Sequence, residues 1–391
     1  MAGDWRGRPL WSVGAGTAVD TRQRAFVAIA FLGFFDTFAL LPVLPVYARE
    51  LGAQPWAIGL TVGLYSLLSM VAQVGSGAVV DGFGGRRGSL LWSLLGAAVL
   101  LPLYGVAERV ETLLLVRSMH GLTGALFIPA LFAAAGEYAG IERARMMGRL
   151  GAAIAVVAIV APPIGGALYR IGGATLCFVG LGGIMAVAAL IAWRYVPETV
   201  RSSGASLPRP WQVLRVRSLV GVYLLTLGFT LCAGILAYRF PLRVGEWGGT
   251  TATAGVLLGW MALVAAVVMV LLHGRLQLRM FGGLPLVGGA LAALEGVVGV
   301  VPSALVLGLY GIGFGALFPA LHLQTFEWAP AELRGSAFAL LYVFYSGGIV
   351  LGPLLAAALQ PVLSPGVVGL GCALVLTGCA AGVLRRCGQW R

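Results

Sequence analysis

The chain has 391 residues, of which 59% are hydrophobic and only 10% are charged, whereas soluble globular proteins carry roughly 25% charged residues. This composition excludes an ordinary water-soluble domain. The formal net charge of +12 predicts no nucleic-acid partner, because every basic residue is an arginine and most of them lie in connections between apolar runs.

Twelve apolar runs follow one another along the chain, each about 20 residues long, which is enough to cross the bilayer core as a helix. They lack the period-2 alternation of barrel strands, and a helix satisfies its own backbone hydrogen bonds in lipid. The predicted fold is therefore all-α and membrane-integral, with twelve transmembrane helices. The predicted spans are 25–48, 57–80, 89–107, 112–136, 147–168, 174–195, 219–242, 250–272, 283–301, 303–326, 336–360 and 364–385.

The arginines orient these spans. About twenty of them fall in connections on one side, about five fall on the other, and Arg117 lies inside a span. The positive-inside rule therefore predicts a multi-pass protein of the cell membrane with both termini in the cytoplasm. The first 24 residues do not have the pattern of a signal peptide, so the first span is predicted to be retained.

The chain is predicted to be an internal duplication. Residues 1–195 and 219–391 each hold six spans, and the proline- and arginine-containing segment 196–218 is the predicted cytoplasmic linker. Such duplicated halves place a substrate site between them, near the membrane midplane. Several short patterns recur at offsets of 190 to 196 residues: Gly124–Leu131 as Gly315–Leu321, Gly59 and Gly63 as Gly255 and Gly259, and Ala161-Pro162 as Gly352-Pro353.

The connection after the second span reads GAVVDGFGGRR from residue 77 to residue 87. It resembles the signature G-x-x-x-D-(R/K)-x-G-x-(R/K)-(R/K) of the major facilitator superfamily, with Gly82 at a position where a basic residue is usual. The resemblance implies a transporter of two six-helix bundles, in which this loop latches the outward-facing state. The matching residues are Gly77, Asp81, Gly84, Arg86 and Arg87.

Two further charge pairs resemble cytoplasmic clusters that couple the two halves of such transporters. They are Glu137 with Arg145, and Glu327 with Arg334. Solvated surface charges are the alternative interpretation for both pairs.

The fourth span begins LLLVRSMHG and resembles the arginine-containing fourth-helix motif of the same family, with His120 where glutamine is common. Arg117 and His120 are three residues apart and share a helix face. A charged residue inside a span usually faces a cavity or a partner, so both are candidates for proton coupling. Alternatively, Arg117 extends to the outer interface, and His120 is a packing residue.

The fifth span resembles the antiporter motif G-(x)8-G-(x)3-G-P-(x)2-G-G of drug–proton antiporters. Gly148, Pro162, Gly165 and Gly166 match it, while other small apolar residues replace two of the glycines. Small residues and a proline predict close helix packing and a kink. A generic kinked helix is the alternative, and the similar Gly352-Pro353 pair in the eleventh span weakens a specific link to export.

Asp36 lies about twelve residues into the first span, near the middle of the membrane. A carboxylate there is costly, and the cost falls when it is protonated, so Asp36 is the candidate proton carrier or counter-charge for a cationic substrate. Its counterpart in the second half falls near Leu231. A structural ion pair, for instance with Arg117, is the alternative. Glu295, in the ninth span, is a lesser candidate and is expected to be interfacial.

A cavity lining can be drawn only from the helices that line it in the resembling family. The aromatic residues among the candidates favour a lipophilic or amphipathic substrate over a sugar. The substrate-binding candidates are Phe35, Asp36, Tyr65, Gln73, Phe229, Trp260, Tyr342 and Tyr345.

The predicted function is proton-coupled efflux of a lipophilic or amphipathic small molecule, with a cation as one option. A proton symporter and a lipid flippase are the alternatives on the same fold, and a membrane enzyme or sensor is the alternative of another class. The predicted partners are the substrate, protons and membrane lipids, and the chain is expected to act as a monomer. The cysteines and histidines are not spaced as metal ligands, and no cofactor is predicted.

Overall fold

The computed structural model describes residues 16–78, 85–136, 138, 140–198, 213–272, 276–330 and 333–387. These residues form helices joined by short turns, and they contain no strand, so the predicted all-α fold is confirmed. The helices are α1 (Gly16–Gly33), α2 (Phe35–Ala39), α3 (Leu44–Glu50), α4 (Pro55–Ala78), α5 (Gly85–Tyr104), α6 (Val110–Gly124), α7 (Phe127–Ala135), α8 (Gly140–Tyr195), α9 (Arg217–Glu246), α10 (Thr251–Leu271), α11 (Leu276–Ala293), α12 (Val300–Trp328), α13 (Arg334–Leu359) and α14 (Pro365–Arg386).

Nine segments of the described chain are long and apolar enough to cross a membrane, and the bent run from α1 to α3 makes a tenth. Helix α8 has 56 residues, about 84 Å at 1.5 Å per residue, which is too long for one crossing. It breaks at Gly172 and Gly173, and the thiol of Cys177 then lies 3.6 Å from the carbonyl oxygen of Gly165. The chain therefore folds back on itself, and α8 holds the fifth and sixth predicted spans. The shorter apolar helix Met280–Ala293 corresponds to the ninth predicted span. Twelve crossings remain a prediction.

The first span is not the continuous helix 25–48 that hydropathy predicts. Helix α1 begins at Gly16 and ends at Gly33, and a second break at residues 40–43 bends the path by 42° before α3. Pro42 and Pro45 explain the second break, because proline lacks the amide hydrogen that continues a helix. As a result, Asp36 lies on the short helix α2 between two breaks.

The described residues up to 198 are here named the N-terminal half, and those from 213 onward are named the C-terminal half. The principal contacts between the halves are α4 against α13 and α8 against α10. Residues 199–212 of the predicted linker lie outside the described residues. The division into two six-helix bundles at 196–218 therefore remains a prediction.

The contact between α4 and α13 depends on two glycines. A Cβ atom on Gly59 would lie 2.9 Å from the carbonyl oxygen of Pro353, and one on Gly63 would lie 3.0 Å from the Cα atom of Val350. Glycines four residues apart thus bring the two backbones into direct contact, as small residues do between membrane helices. Larger side chains at these positions would hold the helices apart.

The same arrangement recurs between α10 and α8. Cβ atoms on Gly255 and Gly259 would collide with the carbonyl oxygens of Pro162 and Ile159. Each repeated glycine pair therefore packs against the repeated proline of the opposite half, once in each direction. The hydroxyl of Thr251 adds a hydrogen bond of 2.9 Å across this contact, to the carbonyl oxygen of Gly166.

Both contacts lie at one end of the molecule, here named the outer end, where the turns 51–54 and 247–250 join consecutive helices. The name follows the arginine distribution, which predicts that this end is extracellular. The glycine-to-backbone contacts between the halves and the hydrogen bond of Thr251 lie in this outer part. The conformer is therefore closed at its outer end, and the two glycine–proline contacts form what we name the outer gate.

The outer gate predicts the effect of enlarging its glycines. Changing Gly59 and Gly255 together to leucine should hold the outer ends of the halves apart, because each new side chain meets backbone that cannot move aside. Spin labels at positions 56 and 359, in a background without native cysteines, should report a longer distance by pulsed electron resonance.

The matched control changes Gly289 and Gly371 to leucine, since a Cβ atom at either position meets no neighbour within 4 Å. The control should keep the distance distribution of the parent protein. If the gate variant also keeps that distribution, glycine packing is not what closes the outer end.

Candidate functional site

Asp36 and His120 form a buried pair in the N-terminal half. Asp36 on α2 is 4% exposed and His120 on α6 is 1% exposed, and atoms Oδ2 and Nε2 are 3.3 Å apart. The Thr37 hydroxyl donates a hydrogen bond of 3.3 Å to the other carboxylate oxygen. The carboxylate thus has polar partners on both oxygens, which a buried acid requires.

Two tyrosines complete the surroundings of the pair. The Tyr104 hydroxyl on α5 lies 3.1 Å from Nδ1 of His120, and the Tyr65 ring on α4 meets the imidazole edge-on at 5.1 Å. If the hydroxyl donates to Nδ1 of the neutral ring, the ring proton sits on Nε2 and faces Asp36. Tyr104 can therefore set the tautomer that binds the carboxylate.

Arg117 is one turn away from the pair on the same helix. Its Nε donates to the carbonyl oxygen of Thr61 at 3.2 Å, and its guanidinium lies over the Tyr65 ring, 5.0 Å from the centroid. Within the described residues, the ion-pair partner of Asp36 is His120 and not Arg117. The arginine is held by a backbone carbonyl and a ring face, so its positive charge is not cancelled by a carboxylate in direct contact.

Local backbone features bring these side chains together. A Cβ atom on Gly33 would overlap the Phe127 ring, and one on Gly121 would lie 2.7 Å from the carbonyl oxygen of Tyr65. Gly33 therefore leaves room on α1 for the Phe127 ring of α7, and Gly121 lets α6 approach the backbone of α4. Gly33 also precedes the break at residue 34. The chain changes direction at this break, just before Asp36, whose side chain contacts His120 on α6.

The corresponding place in the C-terminal half has no such pair. Leu231, the counterpart of Asp36, is buried, and Tyr310 stands at the position offset by 190 from His120. The Tyr310 hydroxyl is buried without a hydrogen-bond partner among the described residues. The acid–imidazole pair is therefore present in one half only.

Three predicted substrate residues of the C-terminal half join one group of rings, here named the aromatic cluster. Phe229 on α9 packs on α12, where rings four residues apart follow one another down the helix, and Tyr342 and Tyr345 continue the group on α13. His322 connects the two parts, 4.3 Å from the Phe318 ring and 6.0 Å from the Tyr342 ring. The cluster consists of Phe229, Phe314, Phe318, His322, Phe338, Tyr342 and Tyr345.

The other predicted substrate residues lie apart from the cluster. Phe35 is buried beside Phe31, and the Gln73 amide donates to the Ser69 hydroxyl at 3.2 Å. Trp260 is 44% exposed in an apolar groove between α10 and α12, where its ring nitrogen donates to the carbonyl oxygen of Ala304. The structure therefore groups Asp36 with Tyr65, and Phe229 with Tyr342 and Tyr345, but not all eight candidates.

The predicted latch is only partly covered by the structure. Asp81, Gly84 and Glu137 lie outside the described residues, as do the surroundings of Gly77 near the end of α4. Arg86 and Arg87 form the first turn of α5. On the same side, Arg145 pairs with Glu142, one turn away on α8, at 2.6 Å.

The second predicted cluster, Glu327 with Arg334, lies at the inner end of α12 and α13. The Arg334 guanidinium covers the Phe326 ring at 4.1 Å, and Glu327 accepts a hydrogen bond from Gln324.

The antiporter-like helix takes part in the outer gate. Pro162 packs against Gly255, and Gly166 packs against Thr251, both across the halves. Gly165, between them, packs against the backbone of Ala39 at the end of the Asp36 helix. A Cβ atom on Gly148 would meet no neighbour within 4 Å.

Glu295 belongs to an outer-end ion cluster and not to the buried site. Both of its carboxylate oxygens accept from Arg239, at 2.9 to 3.1 Å. Arg243 donates to the Glu295 carbonyl oxygen and to Glu246, which also pairs with Arg239. Two of the five outer arginines are thus neutralised by acids, and the cluster joins α9, the end of α11 and, through the amide of Gly366, the start of α14.

Sequence reasoning missed Tyr104 and His322. A tyrosine in an apolar run cannot be told from a packing residue, and only its contact with His120 reveals the difference. His322 could have been found, because a histidine within a predicted apolar span is unusual, as it is for His120.

Comparisons with known proteins agree with this geometry. The family model of the Major Facilitator Superfamily matches residues 26–353. Multidrug resistance protein MdtG of Salmonella choleraesuis is 26% identical over 367 residues, covering 85% of this chain and 88% of that protein. Multidrug resistance protein 1 of Bacillus subtilis is 25% identical over 342 residues, covering 84% of this chain and 87% of that protein.

Solved transporters share the fold at low sequence identity. A bacterial homologue of the human lysosomal transporter Spinster, in an inward-facing and unoccupied conformation, superposes with a TM-score of 0.74 at 16% identity, covering 95% of this chain and 94% of that one. The POT family transporter PepTSo gives a TM-score of 0.77 at 12% identity, covering 95% and 99%. The chain is therefore a multi-pass membrane protein that belongs to the Major Facilitator Superfamily of transporters.

Proposed function

We propose that this chain is a proton-coupled exporter of lipophilic or amphipathic small molecules, cations included, which works by alternating access in the cell membrane. The observation that carries the proposal is the Asp36–His120 pair, a proton-accepting group buried in a membrane span. The names of the relatives, both multidrug resistance proteins, support the substrate class.

The pair is suited to hold one exchangeable proton. An aspartate at the centre of a membrane helix costs about 2.5–3.5 kcal/mol on insertion scales, and this cost falls when the acid is protonated or hydrogen-bonded. His120 supplies the hydrogen bond in the unprotonated state. Because the Arg117 charge lies one turn away, a second positive charge near the pair is unfavourable, and proton and cationic substrate should exclude each other.

Alternating access would then expose the pair to one side at a time. In the present conformer the outer gate is closed, and both side chains are almost completely buried. We propose that opening toward the outside lets a proton reach the pair, that the proton moves inward with the return step, and that substrate enters from the cytoplasm once it has left. In this cycle, the mutual exclusion of the proton on the pair and the bound substrate provides the coupling.

Replacing the acid tests the coupling. Asp36→Asn should abolish uphill transport of ethidium driven by a pH gradient in inverted membrane vesicles, because asparagine cannot release a proton. Downhill exchange of a neutral substrate should persist, since the path itself is intact. Glu111→Gln, which removes an exposed acid from the first turn of α6, is the matched control and should transport like the parent protein.

If Asp36→Asn still concentrates ethidium against its gradient, the coupling group lies elsewhere and the antiport mechanism proposed here is wrong. If the parent protein accumulates substrate together with protons, the symporter is the correct alternative. Lipid transfer without proton movement would instead favour the flippase.

Tyr104 is predicted to position His120 for this role. Tyr104→Phe removes the partner of Nδ1, so the imidazole can take the tautomer that turns an acceptor toward Asp36. A net hydrogen-bond contribution of 1–1.5 kcal/mol corresponds to about a ten-fold fall in uphill transport. Downhill exchange should stay near the parent rate, which separates a coupling defect from misfolding.

Tyr47→Phe is the control for Tyr104→Phe. It removes a buried hydroxyl that donates to the carbonyl oxygens of Tyr104 and Ala107 but does not touch His120. Thermal unfolding should show how much stability the loss of this hydroxyl costs. The coupling of transport to the proton gradient should be unchanged. Equal losses of uphill transport in the two variants would mean that Tyr104 acts only through packing.

A further inference from the structure

His322 lies in the aromatic cluster with one nitrogen satisfied and the other unpartnered. Its Nδ1 is 2.8 Å from the carbonyl oxygen of Phe318, one turn earlier on α12. A carbonyl oxygen can only accept, so Nδ1 carries the ring proton. In the neutral ring, Nε2 is then a hydrogen-bond acceptor, and it is buried with no partner among the described residues.

An unpartnered buried polar atom is rare in folded proteins and costs about 1–3 kcal/mol. Its surroundings offer no remedy: the ring neighbours of His322 are Phe318, Phe338 and Tyr342. Of these, only Tyr342 has a polar atom. The site therefore has an acceptor, Nε2 of His322, without a donor among the described residues. It lies beside three aromatic rings, and the faces of such rings attract positive charge.

The site is near the inner end of the molecule. His322 is six residues before the end of α12 at Trp328, and Tyr342 is eight residues after the start of α13 at Arg334. Tyr342 is 48% exposed, so the cluster reaches the surface at one of its members. The arginine distribution predicts that this end faces the cytoplasm, so it is where a molecule from the cytoplasm would arrive.

We infer that His322 is a substrate-binding residue, whose Nε2 accepts a hydrogen bond from an N–H group of an aromatic or lipophilic cation held against Phe318, Phe338 and Tyr342. This inference rests on the proposed export function and names the substrate class more closely. It also separates the two ligands in space: the proton binds in the N-terminal half at the Asp36–His120 pair, and the organic cation binds in the C-terminal half.

Two probe cations test the inference on the purified full-length protein. Ethidium is a planar aromatic cation with amino N–H donors, whereas tetraphenylphosphonium is an aromatic cation with none. His322→Phe keeps a ring but removes the acceptor, so ethidium binding should weaken about ten-fold and tetraphenylphosphonium binding should change little. His322→Gln, which places an amide oxygen near the position of Nε2, should restore most of the ethidium affinity.

The outcomes separate clearly. Unchanged ethidium binding in His322→Phe, or an equal loss of both probes, overturns the inference, as does a His322→Gln variant that binds ethidium no better than His322→Phe. Failure of the parent protein to bind ethidium at all overturns the ligand class. Thermal unfolding of each variant confirms that it is folded.

Binding is measured without a proton gradient, so the result does not depend on coupling through Asp36. A protein that binds both probes as expected but does not exchange protons would contradict the proposed antiport and leave this site in place. A protein whose transport is coupled normally to protons, but whose ethidium binding is unaffected by the His322 substitutions, would contradict the His322 site and leave the proposed antiport in place.

Discussion

The contact between Asp36 and His120 is the interaction on which this structure depends. A lone carboxylate in the middle of an apolar bundle would be costly, and the histidine makes it tolerable without fixing it as a permanent ion pair. Because both partners can bind a proton, the pair can change charge with little rearrangement. In an Asp–Arg pair only the aspartate could change its charge, since arginine stays protonated throughout the accessible pH range.

The outer gate and the buried pair share two helices. On α4, Gly59 and Gly63 pack against the other half, while the Thr61 carbonyl oxygen holds Arg117 and Tyr65 covers His120. On α8, Gly166 contacts α10 and the adjacent Gly165 contacts the helix of Asp36. Movement at the gate therefore acts on helices that also surround the pair, which is a physical route from protonation to conformation.

The two halves have the same packing at the gate but different chemistry inside. The repeated glycines and prolines were recognisable in the sequence, and their offsets match the crossed contacts between α4 and α13 and between α10 and α8. The internal residues had diverged: Asp36 corresponds to Leu231, and His120 corresponds to Tyr310. The Asp36–His120 pair in one half and the aromatic cluster in the other give the transporter an asymmetric interior, although the gate contacts are symmetric.

Much of this was predictable from the sequence, because each prediction depended on residue type within an apolar run. The helical membrane fold and the choice of Asp36, Arg117 and His120 as candidate residues follow from the cost of polar groups in lipid. The choice of His120 over Arg117 as the partner of Asp36 does not, since it depends on the breaks at residues 34 and 125, which set how α2 faces α6. Hydropathy averages over such breaks, and it therefore also predicted one straight first helix.

The most direct test of the account is to count the protons released when ethidium binds the purified protein in weakly buffered solution. If the proton on the N-terminal pair and the bound cation exclude each other, binding should release up to about one proton at a pH where the pair is loaded, and Asp36→Asn should release none. No release from the parent protein at any pH, or equal release from Asp36→Asn, would contradict the claim that this pair couples proton to substrate.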